Sequence, residues 1–217
     1  MATSEDAHSL LGIPVTHNGL NQWEGVLALE AWSSYGEHLT KAPFSQSLNT
    51  QRLRNESGLS TLYIQLLKEA TPNPDGQQAA ALEYFLSNQQ TIEARVLQEI
   101  WRVVIECDKA SYDNAVATII SADNHPEINA ENDMTWEEIA KQAKNPTEAE
   151  LQMLKSLMVI HTVIIFPGDE QVPVQLSLQF ECAWDPDNGV EVLIEQDDIK
   201  EIDSIGGLTT CAWHALL

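Results

Sequence analysis

Histidines are the first residues to examine for chemistry, because imidazole is the commonest general base and metal ligand near neutral pH. The six histidines are scattered through the 217 residues, and no two have a metal-ligand spacing such as His-Glu-x-x-His. Glu37-His38 and His125-Pro-Glu127 bring carboxylate and imidazole together in sequence only. His161 lies in an apolar run, where we expect a packed, hydrogen-bonded ring. These residues predict neither a catalytic centre nor a metal site.

One segment of the sequence partly matches the motif of a calcium-binding loop. Asp185-x-Asp187-x-Gly189-x-Glu191 alternates carboxylates as calcium loops do, but Gly189 stands one place too early and Gln196 occupies the position of the final carboxylate. The sequence also contains no phosphate-binding loop, dinucleotide fingerprint or Gly-x-Ser-x-Gly elbow. We therefore expect no cofactor and no catalytic residue, and the chain is predicted not to be an enzyme.

Acidic side chains are the strongest chemical signal. The chain has 33 Asp and Glu against 11 Lys and Arg, a formal net charge of −22. Nucleic acids and anionic membranes bind clustered cations, so this charge disfavours both as partners. It favours a basic partner, or simply high solubility. The excess is uneven, since residues 1–110 carry a net charge of −6 and residues 111–217 carry −16.

The densest acidic stretch is the candidate partner-binding region. Glu181 to Asp203 holds nine acids and only Lys200 in 23 residues. The simpler interpretation of this stretch is a solvent-exposed face without a partner. The more specific interpretation is a docking surface for a basic protein. The candidate binding residues are the seven acids Asp185, Asp187, Glu191, Glu195, Asp197, Asp198 and Glu201.

A predicted β-hairpin carries these acids. Val174 to Phe180 alternates apolar and polar residues, which predicts a half-buried strand with its polar side chains facing solvent. Cys182 shares the inward parity of that strand. Trp184-Asp-Pro-Asp-Asn-Gly189 supplies turn residues, and Val190 to Glu195 returns as a second strand.

Helices are predicted upstream of the hairpin. Apolar residues recur every three or four positions over 77–110, with an interruption near Asn88 and Cys107 in the buried stripe. Capping boxes at Thr135-Trp-Glu-Glu138 and Thr147-Glu-Ala-Glu150 predict short helices over about 136–143 and 148–158. Residues 123–133 are predicted to form a loop.

The remaining apolar runs complete a predicted α+β fold. Trp23 to Trp32 and Val159 to Phe166 predict strands, whereas Leu62 to Leu67 is compatible with strand or helix. We expect an antiparallel sheet with a C-terminal hairpin, packed against a few helices. The predicted organisation is a partly ordered N-terminus (1–20), a single domain (21–205) and a C-terminal tail (206–217).

The lack of a recognisable signal peptide or membrane span, together with the cysteine spacing, leads us to expect a cytoplasmic protein. The chain start lacks a basic segment followed by an apolar run, and the longest apolar stretch, Leu157 to Phe166, is too short to span a membrane. Cys107, Cys182 and Cys211 are odd in number and widely spaced, so we expect reduced thiols rather than disulfides.

The hairpin resembles a motif of small bacterial proteins of unknown function. Through Cys182, Trp184, Asp185 and Gly189, it is similar to a Cys-x-Trp-Asp/Glu segment that runs into Glu-His-Gly and a Val-rich strand. The order of motifs upstream is also similar, so the resemblance spans roughly residues 20–205. Where these relatives often have Glu-His, this chain has Asp187-Asn188, and we interpret the motif as a tight turn.

The resemblance implies a function in protein binding. Similar proteins occur beside secreted bacterial toxins, where several families act as immunity proteins. It implies an α+β fold, a cytoplasmic role and no established active site. The predicted function is therefore a non-catalytic immunity protein that occludes a cognate basic toxin, such as a nuclease, with an acidic surface. A small hydrolase or metal-dependent enzyme without a recognisable motif, and a regulatory adaptor, are the alternatives.

Overall fold

An eight-stranded sheet organises the chain in the computed structural model, which describes residues 7–17, 22–39, 59–65, 76–122, 135–168 and 173–205. The strands are β1 (Ala7–Leu10), β2 (Ile13–His17), β3 (Gln22–Ala28), β4 (Leu59–Gln65), β5 (Met158–Ile165), β6 (Leu176–Cys182), β7 (Val190–Glu195) and β8 (Asp198–Asp203). They follow one another across the sheet in chain order. All neighbours are antiparallel except β4 and β5, which are parallel.

Helices supply the crossover that a parallel strand pair requires. Between β4 and β5 in the chain lie α1 (Gly76–Ser87), α2 (Gln89–Val103), α3 (Lys109–Ala122), α4 (Trp136–Lys144) and α5 (Glu148–Ser156). A π-helical segment, Val104–Asp108, joins α2 to α3, and a short 3-10 helix, Glu30–Trp32, follows β3. Helices together with a mostly antiparallel sheet confirm the predicted α+β fold.

Local sequence signals place the helix ends. Thr135 and Thr147 each accept a hydrogen bond from the backbone N–H three residues on, and the glutamate at that position bonds back to the threonine N–H. Both predicted capping boxes are therefore confirmed. Asn88 separates α1 from α2, also as predicted. The helix predicted over 148–158 is shorter, because Met158 already belongs to β5.

One face of the sheet packs against the helices to form the main core. Along β3 the buried side chains Trp23 and Leu27 alternate with exposed neighbours, as a half-buried strand requires. Trp32 stacks on Phe85 of α1 at 5.7 Å between ring centroids, which ties the 3-10 helix to the crossover. A buried Leu, Val or Phe contributes about 1.5–3 kcal/mol relative to an exposed one.

The opposite face is also buried at its centre, and this overturns one prediction. All seven residues of β6 are buried, including the polar Ser177, Gln179 and Glu181 that the alternation placed in solvent. On that face Ile164, Phe166 and Leu193 form a second apolar cluster. The alternation correctly indicated which side chains share a face, but it carries no information on whether that face is covered.

The π-helical segment changes the environment of Cys107, which the helical period placed in the core. An i→i+5 turn holds one more residue than the α period allows for, so side chains within it fall out of phase with the buried stripe. Val104 and Ile105 are buried, whereas Cys107 is exposed. The prediction for Cys107 was wrong for this reason, while Cys182 is buried as expected.

The sheet begins before the predicted domain boundary at residue 21. β1 and β2 lie within the segment predicted as a partly ordered N-terminus, and β2 pairs with β3 through Val15 and Gly25. The predicted loop over 123–133 and the tail over 206–217 lie outside the described residues. No helix in the described part of the chain is long and apolar enough to cross a membrane.

Candidate functional site

A tight turn between β6 and β7 forms the tip of the C-terminal hairpin. Asp185 accepts hydrogen bonds at Oδ1 from the backbone N–H (3.2 Å) and the side-chain amide (3.0 Å) of Asn188. Gly189 has φ +64°, and an added Cβ would lie 2.4 Å from the carbonyl oxygen of Phe180. Both the left-handed backbone and the close approach require glycine at this position. Asp187-Asn188 therefore stands in a turn, with its side chains exposed.

The other motif residues point into the core. The Trp184 ring meets the Tyr112 ring of α3 edge-on at 5.8 Å, and Tyr112 in turn meets Trp101 of α2. Cys182 is fully buried and its thiol donates to the carbonyl oxygen of Asp185 at 3.6 Å. Burial strongly raises the pKa of the Cys182 thiol. The motif thus fixes the hairpin turn to the helices.

The π-helical segment lies beside this turn. Partial desolvation, reinforced by the nearby charge of Asp185, raises the pKa of the Asp108 carboxyl group. The side chain of Asp108 is nonetheless exposed. The end of the π-helical segment and the hairpin turn therefore add negative charge to the same region.

Six of the seven candidate binding acids lie at the surface, and one does not. Glu191 has no exposed surface, so it is removed from the candidate binding residues. It was selected because it shares the acidic stretch, whereas its position in β7 places it on the covered sheet face. We define the hairpin surface as the six remaining acids, Asp185, Asp187, Glu195, Asp197, Asp198 and Glu201.

Two cations neutralise part of the hairpin surface. Arg95 of α2 forms an ion pair with Asp197 at 2.8 Å and also donates to the Asp197 carbonyl oxygen. Lys200 lies 2.7 Å from Asp198 and 3.3 Å from Glu195. The Lys200 hydrogen bond lowers the pKa of Asp198, and the same contacts raise the pKa of Lys200. Six carboxylates and two cations leave a net charge of −4.

Asp187 and Glu201 are the hairpin-surface acids with the least local compensation. Both side chains are exposed, and neither has an ion-pair partner among the residues that the structure describes. Asp185, by contrast, is engaged in the turn. The charge available to a partner is therefore concentrated at the turn tip and on β8.

A buried polar cluster spans β5, β6 and β7, and sequence reasoning missed it. The Ser177 hydroxyl donates to Glu191 Oε1 at 2.5 Å, and the Gln179 amide donates to the same oxygen at 3.1 Å. On β5, His161 Nδ1 lies 2.7 Å from the Thr162 hydroxyl, and His161 Nε2 lies 3.7 Å from Glu181 Oε1. The packed, hydrogen-bonded state expected for His161 is confirmed. The shared parity of Ser177, Gln179 and Glu181 along β6 was the only sequence signal for this cluster, and His161 joins it at a register shift between Ile160 and Thr162.

Across the described ranges, no three His, Cys, Asp or Glu side chains are close enough to hold a metal ion together. The calcium-like pattern is divided between the turn and the covered sheet face, because Asp187 is exposed and Glu191 is buried.

The fold and the hairpin surface together define an acidic α+β protein with a charged C-terminal hairpin at one end of its sheet. Residues 59–209, more than half of the chain, match the family described as a domain of unknown function (DUF6985), and the chain belongs to that family. No curated protein and no solved structure matches the chain. The matched region includes the helical crossover, the π-helical segment and the hairpin.

Proposed function

We propose that this chain is a non-catalytic binding protein that neutralises a cognate bacterial toxin by covering it with an acidic surface. The observation that carries the proposal is the hairpin surface, where six carboxylates outnumber the two described cations that pair with them. Asp185 and Asp187 lie in the β6–β7 turn, and the other four acids lie at the end of β7, in the β7–β8 turn and on β8. A preorganised element binds with little ordering cost. The toxin as partner comes from the resemblance of the hairpin motif to immunity-type proteins.

Occlusion is the mechanism that this surface favours. A nuclease collects cations in its active-site cleft because its substrate is a chain of phosphates. An acidic hairpin placed over that cleft would take the position of the substrate and exclude it. The net charge of −22 would accelerate encounter with a basic partner. Screening by salt would slow that encounter.

The experiment that tests the proposal begins with the partner. The tagged chain is used to capture proteins from the native cell, and the captured protein is then expressed alone and together with this chain. We expect growth arrest when the partner is expressed alone and normal growth when the two are expressed together. A captured partner that is harmless alone, or a toxic partner that co-expression does not neutralise, would contradict the proposed function.

Charge-reversal variants connect neutralisation to the hairpin surface. In the double variant Asp187→Lys with Glu201→Lys, association with the partner at low salt should slow by at least about tenfold. Glu24→Lys with Glu83→Lys is the matched control, since it changes the net charge equally at exposed sites on β3 and α1. The control should retain association within about threefold. Equal slowing in both variants would mean that overall charge, not the hairpin surface, governs binding.

A further inference from the structure

β8 is the last strand of the sheet among the residues that the structure describes. β8 pairs with β7 on one side, and within the described ranges no strand pairs with its other side. Four of its six side chains are exposed, and the other two are half-buried. The outer edge of such a strand presents unpaired backbone N–H and C=O groups, which can pair with an added strand.

Register assigns the side chains of β8 to two chemically different faces. Glu201 lies opposite Leu193 and Asp203 lies opposite Glu191, so both acids lie on the face that carries the second apolar cluster. Ile202 lies opposite Val192 and packs with the main core on the helix side. A strand added beside β8 would therefore meet carboxylates on one face and the half-buried Ile199 and Ile202 on the other.

A groove lies on the helix side of this edge. It has a volume of about 390 Å³ and runs between α2 and β8, with Val103, Ile199 and Ile202 among its lining residues. The three cations in its lining all pair with acids, since Arg95 pairs with Asp197, Arg102 pairs with Glu99 and Glu106, and Lys200 pairs with Glu195 and Asp198. The groove therefore offers room for a side chain against Val103, Ile199 and Ile202, within a lining whose other residues, Glu201 among them, are polar or charged and carry no surplus of positive charge.

We propose that the outer edge of β8 binds an extended segment of the partner, which joins the sheet as a further strand and alternates basic with apolar residues. Its basic side chains would lie beside Glu201 and Asp203, and its apolar side chains would enter the groove beside Ile202. Main-chain hydrogen bonds would supply affinity and the alternation would supply specificity, as in other cases of strand addition. The inference rests on the proposed function in taking the partner to be basic.

The charges of β8 disfavour a second copy of this chain as the occupant. Two β8 edges paired with each other would bring the acids Glu201 and Asp203 of both copies onto the shared strands, where facing like charges are destabilising. Two chains of net charge −22 also repel at long range. Lys200 is held by Glu195 and Asp198 of its own hairpin, so it compensates those acids rather than a neighbour's.

The test uses a defined probe that needs no knowledge of the natural partner. The probe is a fluorescently labelled, capped peptide Lys-Val-Lys-Val-Lys-Val, compared with the same peptide N-methylated at alternate residues and with Glu-Val-Glu-Val-Glu-Val. We expect the unmethylated basic peptide to bind the full chain at least tenfold more tightly than either comparison peptide. It should also slow amide hydrogen exchange in residues 201–203.

Charge exchange on β8 completes the test. Glu201→Lys with Asp203→Lys should reverse the preference to the glutamate peptide, whereas Glu24→Lys with Glu83→Lys should leave the preference for the lysine peptide unchanged. Equal binding of the methylated peptide, exchange protection elsewhere in the chain, or dimerisation through β8 in sedimentation would overturn the inference. Because no toxin enters the experiment, its failure is distinguishable from failure of the proposed function.

Discussion

Glu191 shows how the position of a carboxylate decides its role. Its sequence neighbours Glu195 and Asp197 are partly exposed and pair with Lys200 and Arg95, whereas Glu191 is completely buried and accepts hydrogen bonds from Ser177 and Gln179. A buried carboxylate is tolerated when donors compensate for the lost hydration. Glu191 therefore acts in holding β6 and β7 together, and the hairpin surface depends on it only indirectly.

Removing one donor to Glu191 should be costly. In Ser177→Ala we expect the free energy of unfolding to fall by about 1–3 kcal/mol, because a buried acceptor loses one of its hydrogen-bond donors. Urea unfolding followed by tryptophan fluorescence measures this change. Ser33→Ala is the control, since its hydroxyl bonds a carbonyl oxygen at the surface, and it should change stability by less than about 0.5 kcal/mol. Equal effects would contradict a special role for the buried pair.

Thiol reactivity distinguishes the two described cysteines. Cys107 is exposed on the π-helical segment, whereas Cys182 is buried and its thiol pKa is strongly raised by burial. In a Cys211→Ser background we expect one thiol to react rapidly with a disulfide reagent in the native protein and two in denaturant. Further substitution of Cys107→Ser should abolish the native reaction. Two reactive thiols in the folded protein would contradict the burial of Cys182, and none would contradict the exposure of Cys107 on the π-helical segment.

The capping box of α5 should make the stability of the protein depend on pH through Glu150. Burial raises the pKa of Glu150, but hydrogen bonds from Gln142 and Thr147 outweigh it, so the pKa is lowered overall. For a lowered carboxyl pKa, the added stability is present above the unfolded-state pKa and is lost as pH falls through the folded-state value. Thr147→Ala should therefore lower the free energy of unfolding by about 1 kcal/mol at pH 7. The loss should shrink as pH falls below the ordinary carboxyl range.

The measurement for the capping box is urea unfolding across pH, with Thr91→Ala as the control. Thr91 is an exposed threonine of α2, and its replacement by alanine removes no cap. A helix gains slightly from alanine, so the control should be neutral or mildly stabilising. A cost for Thr147→Ala that persists unchanged at pH 3 would show that Glu150 does not take part in the capping energy.

Elements defined by short-range signals were predictable from sequence, and elements defined by distant partners were not. Thr135 and Thr147 identify their helix starts because each cap is completed within three residues. The hairpin follows from alternating strands around Gly189. The parallel pairing of β4 with β5 brings Leu62 beside Val163, about a hundred positions away, and no local pattern encodes that choice.

The features of the candidate site also fall into those that short-range sequence signals predict and those that depend on distant contacts. The acidic stretch and its turn could be recognised in the sequence, and so could the exposure of Asp187. The ion pair between Arg95 and Asp197 joins residues 102 positions apart, so it could not be recognised. The burial of Glu191 was equally hidden, because it depends on the covering of the second sheet face.

The whole molecule must tolerate a large excess of negative charge. Of its few described cations, five lie in ion pairs with nearby acids: Arg95, Arg102, Lys109, Lys155 and Lys200. The Lys155–Glu93 pair is largely buried, and the other, more exposed pairs contribute little each. They cannot offset a net charge of −22, which opposes the compact state through self-repulsion. The same excess that would attract a basic partner therefore lowers the stability of the free protein.

Salt should consequently stabilise the free protein while weakening its association with a basic partner. Raising sodium chloride from about 20 mM to about 300 mM shortens the screening length to below 10 Å. We expect a rise in Tm of roughly 2–4 °C, corresponding to about 1 kcal/mol in a chain of this length. Calorimetry measures the shift. A triple variant, Glu24→Gln with Glu30→Gln and Glu83→Gln, reduces the net negative charge from −22 to −19 and should show a smaller rise in Tm. A Tm that falls with salt would mean that attraction within the ion pairs outweighs repulsion among the unpaired acids.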